Sequence, residues 1–105
     1  MPKYLIQGSY TPEGASGLLA EGGSHRVNAV KEALKSLGGK LESFYFAFGE
    51  TDTFVIVDLP DHASVAALSL VFAASGRGHV RTTLLLSAEE IDEATKKKLK
   101  FRVGE

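Results

Sequence analysis

Cysteine is missing from this chain altogether. Its absence excludes disulfides and thiolate metal sites and is compatible with a reducing compartment. An excess of one charge is missing too: twelve Lys and Arg stand against thirteen Asp and Glu, for a formal net charge of -1. Neutralising a phosphate backbone needs a basic surface, so the balance argues against nucleic acid as a main partner. The opening residues, MPKYLIQGSYTPEG, lack the apolar core and cleavage pattern of a signal peptide. No apolar run approaches the length of a membrane span. These absences lead us to expect a soluble cytoplasmic protein with no membrane partner.

Several chemical signatures are also absent. Neither G-x-G-x-x-G nor G-x-x-x-x-G-K-[ST] occurs, which removes the common phosphate-binding loops. G-x-S-x-G is not found, so a serine nucleophile has no elbow to sit on. The three histidines, His25, His62 and His79, fall at element ends without the H-x-x-x-H or H-E-x-x-H spacing that metals use. No metal and no cofactor is expected.

What the chain does have is a central hairpin. Residues 40–60, KLESFYFAFGETDTFVIVDLP, read as two strands joined by Gly49-Glu50-Thr51-Asp52. Strict alternation places Glu42, Phe44, Phe46 and Phe48 on one face and Leu41, Ser43, Tyr45 and Ala47 on the other. In the second arm Phe54 and Ile56 oppose Val55, Val57 and Leu59. Both faces are largely apolar, whereas a sheet with one wet face alternates cleanly. Helices can cover one face. For the other, a chain of 105 residues is expected to use a second copy of itself.

The remaining elements flank this hairpin. Residues 3–10 form a first strand. Thr11 and Pro12 open one short helical turn, as N-cap and first position, with Leu18 and Leu19 pinning it to the body. After a break at Gly22-Gly23, Ser24 caps a helix over 25–37, in which Val27, Val30, Leu34 and Leu37 make one apolar stripe. Gly38-Gly39 ends it. Asp61 or Ser64 starts a helix reaching about residue 75, apolar most of the way round and so expected to be buried. VRTTLLL at 80–86 is a fourth strand. Ser87 and Glu90 form a capping box for a last helix over 88–99, with Ile91, Ala94 and Leu99 inward and lysines crowding its end. The order is β-α-β-β-α-β with an extra C-terminal helix, an α+β chain of the ferredoxin-like, split βαβ kind with an antiparallel sheet. Its length suits a single domain over residues 1–105.

Four blocks in this order, GSYTPEGASGLL, LGGKLESFYFAFGETD, VDLPDHASVAAL and RTTLLLSAEEID, resemble the GYD-domain family, small and mostly bacterial proteins whose function is largely unknown. The resemblance spans nearly the whole chain. Gly49 and Asp52 fit a Gly-x-Tyr-Asp pattern, but Thr51 stands in the tyrosine's place, so no role that needs that ring carries over. The resemblance implies a dimeric α/β barrel, two ferredoxin-like sheets packed face to face with helices outside. Cofactor-free monooxygenases, muconolactone-type isomerases and ligand-sensing domains share that architecture by analogy alone.

A cleft between sheet and helices is the expected place for chemistry. The more polar face, with Gln7, Ser9, Ser43, Tyr45, Arg81 and Thr83, is assigned to it. There Tyr45 and Arg81 either orient an aromatic or acidic ligand, or Tyr45 packs while Arg81 pairs with Asp52 or Glu42. His25 and Arg26 add charge to a helix start that can attract anions. Asp52 is either a base or an orienting carboxylate, or it binds the N–H groups of its own loop. Ser9 completes the candidate set. Three functions follow: a homo-oligomer binding a small organic ligand, a cofactor-independent enzyme of monooxygenase or isomerase type, or an assembly protein. An unpaired ionisable group in the pocket favours the enzyme, and satisfied groups favour the binder. If the face carrying Val55 is the subunit contact, Val55→Lys breaks the assembly.

Overall fold

A computed structural model describes residues 1–101. It contains β1 (Lys3–Tyr10), α1 (Pro12–Glu21), α2 (Gly23–Ser36), β2 (Lys40–Phe46), β3 (Thr53–Asp58), α3 (His62–Ala74), β4 (Gly78–Leu85) and α4 (Ala88–Thr95). The strands form one antiparallel sheet in the order β2-β3-β1-β4. This is the ferredoxin-like α+β arrangement, with the two central strands coming from opposite halves of the chain. Among the described residues no helix is long and apolar enough to cross a membrane.

The sheet's two faces follow from its register. Across one face run the rows Leu41–Val57–Tyr4–Leu84, Phe44–Val55–Ile6–Thr82 and Phe46–Thr53–Gly8–Val80. The helices pack here, and the core of Tyr4, Ile6, Leu34, Val55, Val57, Leu59 and Val65 lies between. The other face carries Ser43–Ile56–Leu5–Thr83 and Tyr45–Phe54–Gln7–Arg81 and has no helix over it. A β-bulge between Leu41 and Ser43 breaks strict alternation. It turns Leu41 onto the helix face, where it packs against the core, and not onto the face of Ser43 and Tyr45 as alternation alone implies. One extra residue reverses the side-chain phase of everything before it. Glu42 is thereby turned towards Lys3, whose Nζ donates to Glu42 Oε1 at 2.8 Å and to Asp58 Oδ1 at 2.9 Å. These bonds, that to Glu42 foremost, raise the Lys3 ammonium above its ordinary range.

The N-terminal helical segment is longer than one turn. Thr11 is its N-cap, with Oγ1 accepting from the Gly14 N–H at 3.2 Å, and Pro12 opens α1 as expected. Thr11 also ties this helix to the turn before β4: its N–H donates to the Arg77 carbonyl at 3.0 Å and its hydroxyl to that of Gly76 at 2.8 Å. Gly14 is buried against that turn, and a Cβ there would collide with the Arg77 carbonyl. This close approach, which only glycine permits, seats α1 and lets a glycine-rich stretch stay helical. Leu19 points away, 88% exposed, and pins nothing.

Gly22, not Ser24, is the N-cap of α2, and no side chain caps that helix. The chain restarts its helix so soon after α1 that Ser24 is already inside the first turn. Gly38 takes φ 75° just past the helix end, the left-handed position that favours glycine. Asp61 caps α3, its Oδ1 accepting from the Ser64 N–H at 2.8 Å. Tyr4 anchors the same helix start: its hydroxyl lies 2.6 Å from Nδ1 of His62, and the rings meet edge to face with centroids 5.9 Å apart.

Two helices are less covered than their sequences imply. α3 buries Val65, but Leu70 and Val71 remain 70% and 72% exposed. The Ser87–Glu90 capping box forms, yet α4 ends at Thr95 and has no buried residue. Ile91 and Leu99 are exposed and not on an inner side.

Candidate functional site

A cavity of about 500 Å³ lies between the helix face of the sheet and the pair α2 and α3. Its floor is Ile6, Phe44, Val55 and Val80. Its walls are Ala29, Val30 and Ala33 from α2 and Leu68, Val71 and Phe72 from α3. The space has a local cause. Gly8 leaves the row between Thr53 and Val80 without a side chain, and two of the facing positions of α2, Ala29 and Ala33, are alanines. Helices that cannot touch across small residues leave a gap above the sheet, and this one falls within the roughly 300–1,000 Å³ usual for small-molecule sites.

Polar groups concentrate at one end. Tyr10, Glu13, Ser75 and Arg77 line the cavity together with Arg26 of α2. The Arg26 guanidinium stands over the Phe72 ring, 5.3 Å from its centroid, a distance at which a cation is attracted to the ring face. A small recess beside the cavity is walled by Tyr10, Arg26 and Arg77 with Glu21 and residues of α1.

Of the six residues that the sequence suggests, Arg26 alone lines this cavity. Tyr45 and Arg81 lie in one cross-strand row on the open face, with Phe54 and Gln7 between them. They stand at opposite edges of the sheet, about three strand spacings or ~14 Å apart, so they do not meet around one ligand in a single chain. The cleft exists, but its lining belongs to the other face. The more apolar face is the one the hydrophobic effect drives against the helices, and the more polar face turns outward. Arg81 also does not pair with Glu42 or Asp52: Glu42 is held by Lys3, and Asp52 is engaged elsewhere.

Asp52 is a structural tie. Its Oδ2 accepts from the Tyr10 N–H at 2.8 Å, its N–H donates to the Gly8 carbonyl at 2.8 Å, and its carbonyl accepts from Ala47 N–H at 2.8 Å. Ser9 donates from Oγ to the Glu50 carbonyl at 2.7 Å. Ser9 and Asp52 thus fasten the loop of residues 49–52 onto the end of β1. His25 is exposed on α2, its Nε2 3.3 Å from Oε2 of Glu21. Sequence reasoning missed Arg77, Phe72, Tyr10 and Glu13. Arg77 stands in a Ser-Gly-Arg-Gly turn, and nothing local distinguishes a turn arginine facing solvent from one facing a cavity.

A protein-family model, the GYD domain, matches residues 4–95. The chain belongs to the GYD-domain family. That span runs from β1 to the end of α4, so it takes in the sheet, every helix and the cavity between them. No curated protein and no solved structure matches the chain. In this GYD domain the loop carrying Gly49 and Asp52 is held by backbone hydrogen bonds at the end of the sheet and contributes no residue to the cavity lining.

Proposed function

We propose that this GYD-domain protein binds a small organic ligand in the cavity between its sheet and helices, without catalysis, and works as a homodimer joined through the open sheet faces. The observation that carries the reading is the 500 Å³ cavity with mainly aliphatic and aromatic walls and a few polar groups gathered at one end. That division, apolar body and polar end, suits capture and orientation of a ligand. The charged groups at that end are unpaired among the described residues, the condition set above for an enzyme, but their chemistry argues for binding. Guanidinium groups stay charged and serve recognition, not general acid–base work, and the carboxylate in the lining, Glu13, is exposed at the rim.

The test is binding of a neutral apolar fluorophore, N-phenyl-1-naphthylamine, to the full chain. Saturable enhancement is expected in the native protein. Ala33→Trp, which fills the cavity from the α2 wall, should abolish it while circular dichroism and the melting transition remain cooperative. Binding that is unsaturable, or indifferent to the tryptophan in a folded variant, overturns the reading.

A further inference from the structure

We infer that the ligand of this cavity is an organic carboxylate, an apolar body lodged between sheet and helices with its acid group held by Arg26 and Arg77. The inference rests on the proposed binding cavity and adds the chemical class of what enters it. Two arginines from distant parts of the chain, half-buried Arg26 on α2 and exposed Arg77 in the turn before β4, line both the cavity and the small recess at its end. Among the described residues neither has a carboxylate within 4.0 Å, and neither guanidinium makes a side-chain hydrogen bond. Each guanidinium offers five N–H donors in a planar fork that matches a carboxylate.

Arg26 has the more telling position. It is half-buried, and a charge withdrawn from water is costly unless something compensates it. The compensation in the free protein is the Phe72 ring beneath it. Stacking on a ring face leaves the in-plane N–H groups open, so the aromatic steadies the arginine without consuming its donors. Two acids face the same end and temper the effect. Glu13 lines the cavity and Glu21 lines the recess, but Glu21 is drawn to His25 at 3.3 Å. The attraction therefore comes from open, directed donors and not from an excess of positive charge.

A matched pair of rigid probes tests this: 2-naphthoate and its neutral analogue 2-naphthylmethanol, each displacing the fluorophore from the full chain at neutral pH. The acid should bind about tenfold or more tightly than the alcohol, since a charge-assisted pair exceeds a neutral hydrogen bond by about that factor. In Arg26→Gln and Arg77→Gln the preference should fall towards parity while the fluorophore still binds, which reports an intact fold and cavity. Glu13→Gln should raise affinity for the acid and leave the alcohol unchanged. Equal affinities in the native protein, or a preference that survives in both arginine variants, overturns the inference while the cavity reading stands. If the fluorophore and both probes fail to bind, the cavity reading itself falls and the inference falls with it.

Discussion

Asp52, just before β3, is tied to β1 and to the end of β2 by its side chain and its own backbone N–H and carbonyl. Its carboxylate takes the Tyr10 N–H at the end of β1, while its own N–H and carbonyl bridge β1 and the end of β2. Removing the carboxylate leaves a part-buried N–H without a partner, which costs about 1–3 kcal/mol. Asp52→Ala should therefore lower the unfolding free energy by that much, read as a lower denaturant midpoint at unchanged slope, without changing fluorophore affinity, because Asp52 does not line the cavity. Asp52→Asn keeps an acceptor oxygen and should lose less. A variant that unfolds at the native midpoint but no longer binds would make Asp52 a functional group after all. The alternatives open for Asp52 in the sequence, base or loop tie, differ only in what lies around it, and only the pairing with Tyr10 across 42 positions separates them. Arg26 and Arg81 make the same point. Each is an arginine beside apolar neighbours in sequence, yet one faces a cavity and the other solvent, because one sits over the helix face of the sheet and the other on the open face.

At the scale of elements, local signals were read correctly wherever they close on themselves. The Thr11 cap, the Asp61 cap and the Ser87–Glu90 capping box all form within four residues, so their spacing suffices. Asp61 gives a pH test of one such element. Ser64, through its hydroxyl and then its backbone N–H, holds the Asp61 carboxyl below its ordinary 3.8. A depressed value means the folded state prefers the charged form, so the contribution is present above pH 3.8 and is lost as pH falls through the lower folded value. The melting temperature of the native protein should converge with that of Asp61→Asn, which caps without titrating, as pH falls below 3.8. A gap that stays constant through that range removes Asp61 as a titrating cap. Besides the cap of α2 and the extent of α4, the structure departs from the sequence expectation at α1 and β2. α1 stays helical because Gly14 abuts the Arg77 turn, and Leu41 reverses its face because of a bulge. Both depend on a partner remote in sequence, and neither leaves a mark on local periodicity.

At the scale of the molecule, no helix among the described residues covers the open face of the sheet. Phe54 is 39% exposed and Tyr45 69% exposed, and they neighbour Ile56 and Leu5 across the strands. These apolar side chains, set among the polar Ser43, Gln7, Arg81 and Thr83 of the same face, are the surface on which the proposed dimer rests. The proposed dimer gives a particle of twice 11.2 kDa by light scattering. Val55 cannot test it in the way its sequence position suggests, since Val55 faces the helices at 6% exposure and a lysine there would damage the core. Phe54→Lys sits on the open face and should shift the particle to 11.2 kDa while fluorophore binding is retained. A native protein that scatters as a monomer of 11.2 kDa removes the dimer.

The sequence by itself determined the four strands, the helices apart from the full length of α1 and the end of α4, the order that makes a ferredoxin-like sheet, and the membership of the GYD-domain family. The elements and their order rest on alternation, helical spacing and caps, which are interactions over a few residues, whereas family membership rests on the sequence match over residues 4–95. The tertiary structure decided which face of the sheet the helices cover, and with it which residues share a site. That choice is a competition between two apolar faces for burial, settled by summed contacts from every element at once. Tyr45 and Arg81 lost that competition and lie outside. Arg26 and Arg77, 51 positions apart in the chain, meet at the cavity's end because α2 and the turn before β4 are packed over the same face.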